Sequence, residues 1–121
     1  MKCLSIRQPW AWAIIHAGKD IENRCWPTSY RGPLLIHASK GLTKAEYADF
    51  CEFAEDIPMV KVPDFASLER GGIVGRVLLE GCIDHSISPW FCGPFGFVLS
   101  DAKPLPFRVL KGQLGLFEVA A

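Results

Sequence analysis

Residues 18 to 26 read GKDIENRCW, and within that run Lys19, Glu22 and Arg24 bring an amine, a carboxylate and a guanidinium close together along the chain. As an ammonium, Lys19 can hold a phosphate or polarise a carbonyl; as an amine, it can take a proton from a nucleophile. Glu22 favours the charged form and Arg24 the neutral one, so the sequence leaves both roles open. Glu22 can hydrogen-bond the exocyclic amine of a base or activate a water, and Arg24 can grip a phosphate or carbonyl oxygen. Alternation along a strand puts Glu22, Arg24 and Trp26 on one face and Ile21, Asn23 and Cys25 on the other. Two charges beside an indole suit a cleft wall better than a plain solvent face or a plain core. Trp26 then offers either a stacking surface for a base or an apolar plug. The competing reading is a Glu22–Arg24 surface ion pair beside a solvated lysine.

Further candidates stand near that run or can fold towards it. Arg7 and Gln8 end a first strand next to the helix that delivers Lys19; they line the same cleft, or Gln8 caps the helix. His37, Ser39 and Lys40 end a neighbouring strand, with Lys40 adding to a basic rim and His37 serving a ligand or, more commonly for such a histidine, the structure. Trp90 and Phe95, in SPWFCGPFG, form an aromatic lid or a rigid corner. Trp10 and Trp12 are assigned to packing. His16, His37 and His85 have no metal-ligand spacing, no Gly-x-Ser-x-Gly elbow occurs, and GGIVG and GPFGF lack the lysine and helix of a phosphate loop. No metal or cofactor is expected.

The elements that must carry these residues follow from periodicity. Cys3 to Arg7 alternates as a strand. Trp10, Ala13, Ile14 and Ala17 recur at helical spacing between Pro9, read as the first helical residue, and a stop at Gly18. Strands are expected over Ile21 to Trp26 and Leu34 to Ser39, the first ended by Pro27. Thr43 and Glu46 have capping-box spacing, and Tyr47, Phe50, Cys51 and Ala54 form the buried stripe of the helix they open. Residues 57 to 72 read as a loop; Ile73 to Ile83, Phe95 to Ser100 and Leu114 to Val119 read as strands, with DAKPLPF as punctuation between the last two. A doubly wound fold needs regular strand-helix alternation, which the last fifty residues lack, and that class is set aside. A mainly β, α+β barrel flanked by two or three helices is expected.

Composition bounds the function classes. Half of the 121 residues are hydrophobic, enough for the core of one domain over residues 1–121. Thirteen basic and thirteen acidic residues cancel, so total charge gives no pull towards nucleic acid or membrane. The distribution is less even: residues 1–44 carry net +5 and residues 45–72 net −5, which leaves room for a local basic surface built from the N-terminal third, and no membrane partner is expected. Five cysteines, odd in number and without a Cys-x-x-Cys pair, argue against a disulfide framework or zinc ribbon. No signal peptide or bilayer-length apolar run is visible, and a cytoplasmic location is expected.

The stretches SIRQPW, AGKDIENRCWPTSYRGPLLIHASKG, GGIVGRVLLEGCID and GPFGFVLSDAKPLPFRVLKGQLGLFEV resemble the ASCH (activating signal cointegrator homology) family from end to end. The most specific feature is a Gly-x-Lys-x-x-Glu-x-Arg type signature, supplied here by Lys19, Glu22 and Arg24 with Gly18 directly before the lysine. The resemblance implies a PUA-like β-barrel, related to RNA-binding domains, with the signature in a cleft. It implies RNA or a nucleotide-derived small molecule as ligand, and protein partners in transcription or translation. A distant bacterial relative resembles an amidohydrolase acting on N4-acetylcytidine, and another has been assigned ribonuclease activity. The amidohydrolase pattern has a threonine nucleophile where this chain has Glu22. The alternative to a binding cleft is therefore a hydrolase acting on an acylated nucleoside or on RNA, with Glu22 as general base, Lys19 as proton donor or acceptor and Arg24 as oxyanion stabiliser.

Overall fold

The computed structural model describes residues 1–120; Ala121, the last residue of the expected domain, lies outside the described residues. Six strands form one curled sheet: β1 (Lys2–Ile6), β2 (Ile21–Arg24), β3 (Gly32–Ala38), β4 (Gly72–Ile83), β5 (Phe95–Val109) and β6 (Leu116–Glu118). Their order is β2-β5-β4-β3-β1-β6, with β1 and β3 parallel and all other neighbours antiparallel. Helix α1 (Trp10–His16) follows β1, α2 (Lys44–Ala54) follows β3, and a short 3-10 turn spans Phe65–Ser67. The fold is the mainly β, barrel-like α+β architecture that the alternation and capping signals predict.

Alternation decides what each strand presents. Leu4 and Ile6 of β1 and Leu34, Ile36 and Ala38 of β3 join Val77, Leu79 and Phe97 in the main core, and α1 adds Ala11, Ile14 and Ile15. Each larger aliphatic side chain taken out of water contributes about 2 kcal/mol. Gly75 makes the α1 contact possible, because a Cβ there would stand 2.4 Å from Ile15 Cδ1. The opposite face of β1 and β3 carries Cys3 opposite Leu35 and Ser5 opposite His37 in the parallel register. Ser5, His37 and the residue after β3, Ser39, therefore gather on one side of the sheet.

Helix α2 starts as predicted. The Thr43 side chain accepts from the Glu46 N–H, and the Glu46 carboxylate accepts from the Thr43 N–H. Phe50 and Ala54 meet Ala13, Ile21 and Trp90 in a second core. The expectation for the C-terminal half needs correction: β5 does not stop at Ser100 but runs on through Pro104 and Pro106 to Val109. Beyond Val98, which pairs with Ile21, β2 no longer flanks β5. Among the described residues, the later part of β5 pairs only with β4, and prolines are tolerated on such an edge.

Candidate nucleic-acid interface

The turn after α1 places Lys19. Gly18 adopts φ +72°, a left-handed conformation that suits glycine, and the Lys19 N–H returns to the Ala13 carbonyl at 3.1 Å. The Lys19 side chain then points inwards, 1% exposed. Its Nζ donates to the Ile21 carbonyl and to Glu22 Oε1 at 3.0 Å, and lies 5.8 Å from the Trp10 ring centroid. The other oxygen, Glu22 Oε2, accepts from Arg24 Nε at 3.1 Å, and Nη2 stands 3.0 Å from it in the same ion pair. Among the described residues no buried side-chain polar atom lacks a hydrogen-bond partner. Two cations share one carboxylate, and the surplus positive charge is carried by Arg24, the most exposed of the three.

Arg24 also crosses between strands that are not neighbours in the sheet order. Its Nη2 donates to the Ser5 carbonyl at 2.9 Å. Strand β6 covers β1 only from Lys2 to Leu4, so Arg24 binds the first carbonyl that β6 leaves open. The guanidinium latches β2 to β1 where no backbone ladder joins them.

Beside this latch lies a cleft of about 810 Å³, lined by Ser5, Arg24, His37, Ser39, Lys40, Arg70, Gly71 and the segment 109–115. Four cationic side chains, Arg24, Lys40, Arg70 and Lys111, face it, and among the described residues no carboxylate does. The neutral total charge of the chain therefore conceals an uneven local distribution, with cations gathered at this cleft. On the floor, Ser5 Oγ lies 2.9 Å from His37 Nδ1 and 3.0 Å from Ser39 Oγ, while His37 Nε2 meets the Leu110 carbonyl. Gly112 is required here, since a Cβ would come within 2.8 Å of Ser5 Oγ and 2.9 Å of His37 Cε1. The exposed side chains of Val109 and Leu114 complete the walls.

The structure brings Arg24, His37, Ser39 and Lys40 together at this cleft and sends the other candidate residues elsewhere. Lys19 and Glu22 stand behind Arg24 and are not among the lining residues. Arg7 turns outwards to α2, where Nε and Nη2 grip the two Glu46 oxygens at 3.0 and 2.7 Å. That guanidinium, helped by the Thr43 N–H, lowers the Glu46 carboxyl to about 2. Gln8 acts as a helix cap: Oε1 accepts from the Trp12 N–H and Nε2 donates to the Glu69 carbonyl. Trp26 packs edge-on against Phe97, with centroids 5.2 Å apart. Trp90 is buried against Phe53, its carbonyl held by Asn23 Nδ2. Phe95 pairs with Arg24 in the β2–β5 ladder without lining the cleft.

Sequence reasoning missed Ser5, Arg70 and Lys111 as cleft residues. Lys111 has a visible signal, a lysine directly before a glycine in the turn between two strands; Ser5 and Arg70 have none. Among the described residues no three His, Cys, Asp or Glu side chains are placed to hold a metal ion, and no helix is long and apolar enough to cross a membrane.

A curled six-stranded sheet, latched by a Lys-Glu-Arg triad and bearing a cleft lined by four cationic residues, defines a small, mainly β, barrel-like module. Residues 4–91 match the ASCH domain family model, and the chain belongs to the ASCH family. It is also similar to Activating signal cointegrator 1 from Homo sapiens, at 26% identity over 121 residues, taking in 92% of this chain. The chain spans about one fifth (21%) of that protein's length.

Proposed function

We propose that residues 1–121 act as one ASCH domain that binds RNA, or a nucleotide-derived ligand, in the cleft between β1, β3 and the 109–115 segment. One observation carries this reading: among the described residues, four cations and no carboxylate line a cleft of about 810 Å³ in a chain of zero net charge. Phosphate groups release counterions on meeting Lys40, Arg70 and Lys111, and Arg24 adds a fixed, planar donor set. In this reading Lys19 and Glu22 are positioning residues that hold the Arg24 guanidinium at the cleft wall. A cytoplasmic location fits five free cysteines. Partners in transcription or translation fit the name of the human relative, a signal cointegrator.

Fluorescence anisotropy of a labelled single-stranded RNA across a salt series tests the proposal. Each phosphate contact made by Lys40, Arg70 or Lys111 adds about 0.7 to the steepness of log K against log salt, so the triple alanine variant should lose about 2 from the slope. Binding that is undetectable at low salt, or that keeps its salt slope in the triple variant, refutes the reading.

A further inference from the structure

The cleft floor holds a group that anion binding does not use. Ser5 and His37 face each other across the parallel β1–β3 register, with Oγ and Nδ1 2.9 Å apart. A carbonyl only accepts, so the contact with Leu110 O puts a proton on His37 Nε2. In the neutral ring Nδ1 is then the acceptor, and the Ser5 hydroxyl donates to it. The Ser39 hydroxyl, 3.0 Å away, donates to Ser5 Oγ, whose proton is already committed to His37. A hydroxyl oxygen has two lone pairs. One takes the Ser39 proton, and the other is left free on a residue that lines the cleft. A hydroxyl nucleophile, a neutral imidazole within reach and a carbonyl that fixes the ring are the components of an activated serine.

We propose that Ser5 is an acyl-accepting nucleophile, with His37 as its base, for carboxylic esters of nucleotide-sized anions held in this cleft. The substrate class rests on the reading of the cleft as a nucleotide site; the nucleophile rests on the Ser5–His37–Leu110 geometry alone. The Ser5 Oγ lone pair forms a bond to the ester carbonyl carbon as the carbonyl π pair moves onto oxygen. The hydroxyl proton passes to His37 Nδ1, and the imidazolium keeps its Nε2–H on the Leu110 carbonyl. Collapse breaks the carbon–oxygen bond to the leaving alcohol, which takes the proton from Nδ1 and leaves acyl-Ser5. Water repeats the steps against the acyl-enzyme, giving a carboxylic acid and free Ser5. Arg24, whose Nη2 bonds the Ser5 carbonyl, supplies the positive field for the oxyanion in both halves. Ser5 and His37 touch the reacting atoms and are the catalytic residues; Ser39 is a positioning residue.

A fluorophosphonate probe tests the nucleophile on the full chain, with intact-mass detection and peptide mapping of the adduct. One adduct on Ser5 is expected, absent from Ser5→Ala and from the urea-unfolded protein, and formed about a hundredfold more slowly in His37→Gln, the scale of a lost general base. Should His37→Gln not fold, the adduct position and the Ser5→Ala comparison decide the matter. Hydrolysis of 3′-O-acetyl adenosine 5′-monophosphate against uncharged 3′-O-acetyladenosine tests the substrate class. The charged ester should be favoured about tenfold in kcat/KM, with Lys111→Ala raising KM for it while kcat stays within about twofold. Ser39→Ala should lower kcat and leave KM. No adduct on Ser5, or full ester turnover by Ser5→Ala, overturns the inference. A Ser5 adduct without preference for the charged ester and without RNA binding overturns the nucleotide substrate and the binding reading, and leaves the nucleophile established.

Discussion

Glu22→Gln is the sharpest test of how the signature works. Glu22 is a single carboxylate shared between a lysine whose side chain is 1% exposed and an arginine whose side chain is 22% exposed. Both carboxylate oxygens accept. An amide has one acceptor oxygen and one NH2, so whichever way the substituted side chain turns, one cation faces a donor. If the NH2 faces Lys19, a buried ammonium keeps only the Ile21 carbonyl; if it faces Arg24, the guanidinium moves towards water. Removing one partner of a buried pair costs about 3–5 kcal/mol, and the partial exposure of Arg24 favours the lower end, about 3 kcal/mol. For a domain of this size that lowers Tm by roughly 10 °C. Urea unfolding followed by tryptophan fluorescence gives the loss directly. Glu118→Gln, at exposed ion pairs with Lys2 and the N-terminal ammonium, should leave the urea midpoint close to that of the wild type. Adding Lys19→Met to Glu22→Gln removes the stranded ammonium and should recover at least about 1 kcal/mol. A Glu22→Gln protein within about 0.5 kcal/mol of wild type, or single losses that simply add in the double variant, refutes the buried-triad account.

Three other outcomes follow from local geometry. Arg7 chiefly, and then the Thr43 N–H, hold the Glu46 carboxyl down to about 2 from its ordinary 4.5, so the stabilisation they give is complete above pH 4.5 and is lost as pH falls towards 2; thermal melts over that window should show a shallower pH dependence in Glu46→Gln. Burial pushes the Cys3 thiol up to about 11, whereas Cys25 and Cys92 are exposed; Ellman's reagent should titrate Cys25 and Cys92 in the folded protein well before Cys3, and a fast-reacting Cys3 would contradict the packing of β1. Gly75→Ala sets a Cβ 2.4 Å from Ile15 Cδ1 and 2.7 Å from the Lys103 carbonyl, and should cost about 2–3 kcal/mol in chemical denaturation, while Gly81→Ala, where the nearest atom is 3.5 Å away, should cost less.

What the sequence shows of this molecule is mostly local. The Leu4/Ile6 and Leu34/Ile36/Ala38 alternations, the Thr43–Glu46 capping box and the Gly18 stop each depend on a few adjacent residues, and each is readable. Strand β5 is not, because the cost of Pro104 and Pro106 depends on whether β2 still runs alongside, which is a fact of sheet assembly. The cleft divides the same way. Arg24, His37, Ser39 and Lys40 can be picked out by residue type at the ends of strands. Ser5 acquires meaning only once the parallel register sets it opposite His37, 32 residues on, and Lys111 only once its segment folds back over both. Arg7 reads as a cleft cation until the capping glutamate of α2, itself correctly placed by sequence, proves to be its partner.

Under the proposed function, the position of Arg24 would let one short signature serve structure and ligand together. Its guanidinium bonds Glu22, latches the Ser5 carbonyl and lines the cleft, so three separate demands meet on one side chain. Lys19 neutralises the carboxylate from behind and leaves Arg24 as the charge at the cleft wall. Stability and binding should therefore fall together when Arg24 is replaced, whereas Lys111→Ala should weaken binding alone. Arg24→Lys separates the demands further: an ammonium keeps the charge but lacks the planar donor set that spans Glu22 and Ser5. If that variant binds RNA as tightly as wild type while unfolding at lower urea, the cleft needs only a positive charge at this position. If it binds as weakly as Arg24→Ala, the geometry imposed by the latch is itself part of recognition.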